Sequence, residues 1–188
     1  FGMARGLFSN EAGLGSGPIA HATAITNNPV RQGFLGMIDP FIDTVLVCTM
    51  TAVIILIAGD WSAVDRGSAA VMTSTAFGHA LPGFGQYFVA IALVFFAFTT
   101  ILGWCVYGER CAAYLFGHNA IKPFRLVFTL VVPVGALLEL TFVWSLSDLF
   151  NGLMALPNLV ALLLLSPVVF KMTKEYFEKA AKGHLSDE

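Results

Sequence analysis

Charge is the commodity this sequence has least of. Of its 188 residues, 12% are Asp, Glu, Lys or Arg, against about 25% in ordinary soluble domains, and 57% are hydrophobic. A soluble fold of this size has too little interior to hide so much apolar surface from water. The few cations are also unevenly placed, four of the ten (Lys171, Lys174, Lys179 and Lys182) falling in the last eighteen residues. The remainder has a membrane composition. With a net charge of −2 and no basic patch, the chain offers nothing to hold a nucleic acid. Cysteine is scarce too. Cys48, Cys105 and Cys111 lie in or beside apolar stretches, and their odd number and lack of metal-ligand spacing argue against a disulfide framework or a zinc site. They read as buried free thiols. An initiator Met and a signal peptide are also missing from the opening Phe-Gly-Met-Ala-Arg, so the expectation is a piece of a longer protein.

What is present is long apolar runs. A bilayer core about 30 Å thick needs roughly 20 apolar residues in helix, and four stretches qualify, at about 34–58, 87–107, 124–138 and 143–170. Pro157 and Pro167 interrupt the last, so a bend near Pro157 is expected, with Asn158 placed to satisfy a freed carbonyl. Arg31 precedes the first run, Arg110, Lys122 and Arg125 follow the second, and four lysines follow the fourth. Asp60, Asp65, Arg66 and Glu139 lie on the other side. This alternation implies a cytoplasmic C-terminus by the positive-inside rule. Trp61, Tyr87 and Trp144 then fall where an outer aromatic belt would sit. The expected architecture is an all-α polytopic membrane protein, with a transmembrane domain over 1–170 and a charged cytoplasmic tail over 171–188, a solvated helical extension.

Two segments are not simple spans. Residues 68–80 read as a short helix lying over the outer face. Residues 1–25 are moderately apolar but broken by Gly13, Gly15, Gly17 and Pro18, and they carry Arg5 and Glu11, costly at membrane depth unless paired or lining a wet cavity. Broken helices of this kind are where secondary transporters bind their cargo. Tight packing through small residues is the plainer explanation. The segment lacks the Gly-Lys-Ser/Thr ending and the preceding strand of a phosphate loop. Nothing repeats internally, so any inverted repeat must relate this part to sequence upstream.

Within the second run, Phe96, Thr99 and Thr100 can offer a helical carbonyl and two hydroxyls to one Na⁺, a hard cation that prefers oxygen. Thr100 and Trp104 are four apart and share a face, so the indole can wall a small pocket. The alternative is that each threonine back-bonds within its own helix. Asp39 and Asp43, also four apart with Pro40 between them, read either as an ion relay or as caps of a helix N-terminus. Asp148 and Asn151 read as gating or capping groups. His21, His79 and His118 form no metal set.

Several stretches resemble the sodium:alanine symporter family: Gly6-Leu7-Phe8-Ser9-Asn10-Glu11-Ala12-Gly13-Leu14-Gly15-Ser16 with Pro18-Ile19-Ala20-His21-Ala22, then Asp43-Thr44, Thr99-Thr100-Ile101-Leu102-Gly103-Trp104 with Tyr107-Gly108-Glu109, and Asn151-Gly152-Leu153-Met154-Ala155-Leu156-Pro157-Asn158. Gly17 stands where the family more often has Ala. The resemblance covers essentially the whole chain. It implies the leucine-transporter type of inverted-repeat fold, of which this chain would supply the sixth to tenth core helices, beginning within the sixth. It implies that Phe8, Thr100 and Trp104 contact a small amino acid such as alanine or glycine. It also implies that the Phe96 carbonyl, Thr99 and Thr100 form half of a sodium site. The helices expected to complete both sites are the missing N-terminal ones.

The function expected is therefore sodium-coupled symport of a small neutral amino acid across the cell (inner) membrane, with Na⁺ as co-transported ion and no other cofactor. The alternatives are a proton-coupled amino-acid transporter and a channel-type membrane subunit. A membrane enzyme is disfavoured, since no catalytic constellation of the Gly-x-Ser-Gly or His-Glu-x-x-His kind is present.

Overall fold

The computed structural model describes residues 2–59 and 69–182. Every regular element among them is helical. The chain divides into two compact units, Phe1–Asp43 with Leu146–Glu188, and Thr44–Ser145.

In the first unit, α1 (Gly2–Ser9) and α2 (Gly17–His21) are the two halves of the broken segment. Between them Glu11, Gly13 and Gly15 have φ of 52°, 77° and 84°, left-handed values that end the helical ladder. A corner then leads into α3 (Pro29–Ala58), 30 residues long. Its start lies before the apolar run, because Asn28 caps it: the side-chain carbonyl accepts the Arg31 N–H at 3.1 Å, with Pro29 pre-set for the first helical position. Asp39 and Asp43 thus lie inside the helix, and the capping role considered for them passes to Asn28. Pro40 has no N–H for the ladder, and directly afterwards residues Ile42–Cys48 wind as a π-helix before α-geometry resumes at Thr49.

The last helix, α7 (Leu140–Ala181), runs for 42 residues as one element through both Pro157 and Pro167. That is about 63 Å of axis at 1.5 Å per residue, roughly twice what a bilayer core requires. Its charged end carries exposed i,i+4 pairs, Lys171–Glu175 at 4.0 Å and Lys174–Glu178 at 3.9 Å. It is not merely a solvated extension, because Tyr176 and Phe177 pack on Phe34 near the start of α3, with ring centroids 6.3 Å and 6.0 Å away.

In the second unit, α4 (Ala69–Ala80) packs against the later part of α3 and against α5 (Gly85–Phe116). The rings of Phe77 and Phe88 stack across the α4–α5 corner at 6.0 Å. The helix α5 continues well past the apolar run, through Glu109 and Arg110, and stops where Gly117 takes φ of 84°. A single 3-10 turn (His118–Ala120) leads to α6 (Ile121–Leu137), which packs back on α5. Trp61, Asp60, Asp65 and Arg66 lie outside the described residues.

The buried apolar residues among those described are Leu14, Ala76 and Val89. Side chains that would form the core of a soluble protein, such as Leu163 and Leu164 at 75% exposure, instead stand outward. Cys48 and Cys111 are in no disulfide and are exposed, where burial was expected. Four helices (Pro29–Ala58, Gly85–Phe116, His118–Leu137 and Leu140–Ala181) are long and apolar enough to cross a membrane. Apolar surface of this extent needs a covering other than water.

Candidate functional site

The break between α1 and α2 gathers the polar chemistry of the first unit. At the end of α1 the Asn10 side-chain amide donates to the Gly6 carbonyl at 2.9 Å, an oxygen that also accepts the Asn10 backbone N–H at 3.0 Å. Leu14 and Ser16 turn inward. Ser16 is 2% exposed, and its hydroxyl has no hydrogen-bond partner among the described residues. Gly15 is held by two constraints. Its φ is left-handed, and a Cβ there would stand 2.9 Å from the Asn158 side-chain oxygen on α7. Asn158 was expected to mend the ladder beside Pro157; it lies instead against the break.

These constraints give a prediction. Gly15→Ala should destabilise the purified full-length protein by about 1–2 kcal/mol, the usual cost of forcing an L-residue into left-handed geometry. Asn158 can swing aside, so Asn158→Ala should not rescue the variant. Thermal melting of the single and double variants checks this, and rescue would place the cost in the side-chain contact rather than the backbone.

Three side-chain ties fasten the broken segment to its neighbours. Arg5 on α1 grips Asp148 on α7 with both guanidinium nitrogens, Nη1 to Oδ1 at 2.6 Å and Nη2 to Oδ2 at 3.2 Å. Each partner is a little over a third exposed. Ser9, the last residue of α1, donates to Asp43 Oδ2 at 2.8 Å. On α2, His21 Nδ1 lies 2.8 Å from the Gln32 amide, and its Nε2 lies 3.9 Å from Asp39 Oδ2, with the ring lying over Gly36. The two carboxylates of α3 thus address opposite sides of the break, Asp43 the end of α1 and Asp39 the end of α2. Phe8 is half-buried in the same unit.

Phe96, Thr99, Thr100 and Trp104 stand together on α5, in the second unit. The Thr99 hydroxyl back-bonds to the Phe95 and Phe96 carbonyls at 3.0 Å and 3.1 Å. Donating its hydrogen does not disqualify it as a cation ligand, because a hydroxyl donor keeps its acceptor lone pairs. Thr100 is exposed, and Trp104 packs edge-on against Tyr107 at 5.8 Å. One turn further on, Arg125 of α6 clasps Glu109 through Nε to Oε1 and through Nη2 to Oε2, the latter at 2.9 Å, and Cys105 Sγ approaches the same carboxylate at 3.5 Å. Beside this clasp Gly108 meets the Phe124 ring so closely that a Cβ would overlap it.

Sequence reasoning named Arg5, Asp148 and Glu109 but did not pair them. The available signal was that a charge on an apolar helix requires a partner of opposite sign. No cluster of three or more metal-ligating side chains occurs among the described residues.

Four helices long and apolar enough to cross a membrane, with few buried apolar side chains among the described residues, are the architecture of a polytopic membrane protein. All of residues 1–188 match the model of the sodium:alanine symporter family, and the chain belongs to that family. It is 48% identical over 184 residues to an uncharacterized transporter of Haemophilus influenzae, covering 97% of this chain and 40% of that protein. It is 46% identical over 180 residues to the sodium/alanine symporter AgcS of Methanococcus maripaludis (95% of this chain, 40% of the relative). To the amino-acid carrier protein AlsT of Bacillus subtilis it is 38% identical over 183 residues (97% and 39%). The chain therefore spans about two fifths of the length of the curated relatives it matches. The family is one of transporters rather than enzymes.

Proposed function

We propose that this chain is the C-terminal part of a sodium-coupled symporter that carries a small neutral amino acid, alanine or glycine, across the cell membrane by alternating access. The observation that carries the reading is the family match over all 188 residues, supported by a relative named as a sodium/alanine symporter. In this reading the chain supplies the sixth to tenth core helices of a leucine-transporter-like inverted-repeat fold, with its C-terminus in the cytoplasm. The remaining core helices come from the N-terminal part of the same transporter.

The cargo is a zwitterion entering a low-dielectric site, so its charged ends need polar partners and its side chain an apolar wall. Phe8 and Trp104 provide apolar bulk and Thr100 a hydroxyl. The broken segment, with its unladdered backbone groups, faces the zwitterion. A bulky Trp104 limits the cargo side chain, favouring alanine or glycine over leucine. The Phe96 carbonyl and the two threonine hydroxyls provide oxygens for Na⁺, and helices outside this chain complete its shell. Sodium and amino acid together favour the occluded state, and dilution of Na⁺ on the inner side releases both.

The test is uptake of radiolabelled alanine into proteoliposomes containing the complete transporter, with an inward Na⁺ gradient against a choline control. Uptake should require Na⁺, and Thr100→Ala should lower it at least tenfold, the scale of about 1.4 kcal/mol lost from binding. Strong inhibition by leucine would overturn the specificity, and equal uptake in choline would overturn the sodium coupling.

A further inference from the structure

The charged end of α7 sorts its residues by face. From Lys171 to Ala181 the helix runs about 16 Å past the apolar run that ends at Phe170. At about 100° per residue, Lys171, Lys174, Glu175, Glu178 and Lys179 fall on one side, and Met172, Tyr176, Phe177 and Ala180 on the other. The apolar side rests on the start of α3. Tyr176 and Phe177 both meet the Phe34 ring, and they meet each other edge-on at 5.5 Å. The cover is incomplete, because Phe177 remains 54% exposed.

Three cations border these three rings, each one helical turn from its own: Arg31 from Phe34, Lys174 from Phe177 and Lys179 from Tyr176. All three are exposed. Among the described residues no carboxylate pairs with Arg31 or Lys179. Lys174 has Glu178 at 3.9 Å, an exposed i,i+4 pair that water and salt largely screen. With Lys171 and Lys182 counted, five cations stand against Glu175 and Glu178, while Asp187 and Glu188 lie outside the described residues.

We propose that this junction of α3 and α7 binds an anionic phospholipid, its phosphodiester held among Arg31, Lys174 and Lys179 and its chains running back along the apolar part of α7. Phe34 opens the apolar run of α3 and Phe170 closes that of α7, so the junction lies where hydrocarbon gives way to headgroups. Aromatic rings favour that level. The guanidinium offers phosphate two parallel N–H groups, and the lysines add point charges. Basic side chains beside a membrane span draw anionic lipid over zwitterionic lipid. A free phosphate would meet the same cations but gain nothing from the rings. The inference rests on the membrane architecture, and neither the cargo nor the sodium assignment enters it.

The complete transporter in mild detergent is titrated with phosphatidylglycerol or phosphatidylcholine, and retained lipid is counted by native mass spectrometry. Phosphatidylglycerol should bind at least tenfold more tightly than phosphatidylcholine. Arg31→Gln should weaken it about fivefold, and the triple variant with Lys174→Gln and Lys179→Gln at least tenfold. Lys122→Gln, a cation of the second unit, should leave it unchanged. Rising sodium chloride should release the lipid from wild type, which keeps the test open if the triple variant does not fold. Lipid that salt leaves in place, or equal retention by wild type and triple variant, overturns the proposal. So does an equal loss in Lys122→Gln, the mark of diffuse attraction to any basic residue. Displacement by inorganic phosphate, and not by chloride of the same ionic strength, would assign the cations to a free anion instead. An oligomer that comes apart in the triple variant with lipid retention unchanged would assign the surface to a second copy. No uptake is measured, so failure of the alanine or sodium reading leaves the lipid result standing.

Discussion

Gly108→Leu is expected to force α5 and α6 apart and to leave little folded transporter. The Phe124 ring already occupies the space over Gly108, and it cannot simply tilt away, because Phe128 packs beside it at 5.9 Å. Overfilling a close-packed contact costs about 1–3 kcal/mol. Here the cost is compounded, because the next residue on each helix forms the Glu109–Arg125 clasp. Spreading the helices at Gly108 pulls the clasp open, leaving a partly buried carboxylate without its cation. Gly108→Ala should show a smaller loss of the same kind, in proportion to the added volume. Size-exclusion profiles and melting temperatures of the purified full-length variants read the effect. A leucine variant that melts with wild type would show that the Phe124 ring has another place to go.

Arg5→Ala should be the second most damaging change, and Asp148→Ala nearly its equal. The pair is bidentate, but each partner is a little over a third exposed, so its worth lies between a surface pair at under about 1 kcal/mol and a buried one broken at 3–5 kcal/mol. An intermediate loss of about 1–3 kcal/mol is expected from either truncation. The two losses should not add, because each single variant already breaks the same contact. Exchange of the charges, Arg5→Asp with Asp148→Arg, should recover part of the stability. A double-alanine variant as costly as the sum of the singles would show that each residue acts through a different partner.

The long apolar runs were legible because a bilayer demands a length of apolar residues that few other constraints impose. Their ends were not, because hydropathy and helicity stop for different reasons. Arg31 and Gln32 hid the first turns of α3 from an apolar window, although Asn28-Pro29 is a readable helix start. Glu109 and Arg110 ended the apolar run near residue 107, yet both are good helix formers, and α5 continues until Gly117. The break at 10–16 was visible in its glycines, since left-handed backbone favours them. The side-chain ties were not visible. Arg5 and Asp148 are 143 residues apart in sequence, and no local pattern connects them. Asp39 and Asp43 illustrate the same limit from the other side. Their spacing suited either a cap or an ion relay, and only the position of Asn28 in three dimensions removed the first.

The far end of α7 has a practical corollary. Shortening the chain to residue 170, where the apolar run ends, would remove about three helical turns that look dispensable by composition. It would also strip Phe34 of both of its ring partners, Tyr176 and Phe177. Those turns act as a clasp closing on the first turns of α3. A reporter fused at residue 182 would be tied through those rings to α3 as well as to α7.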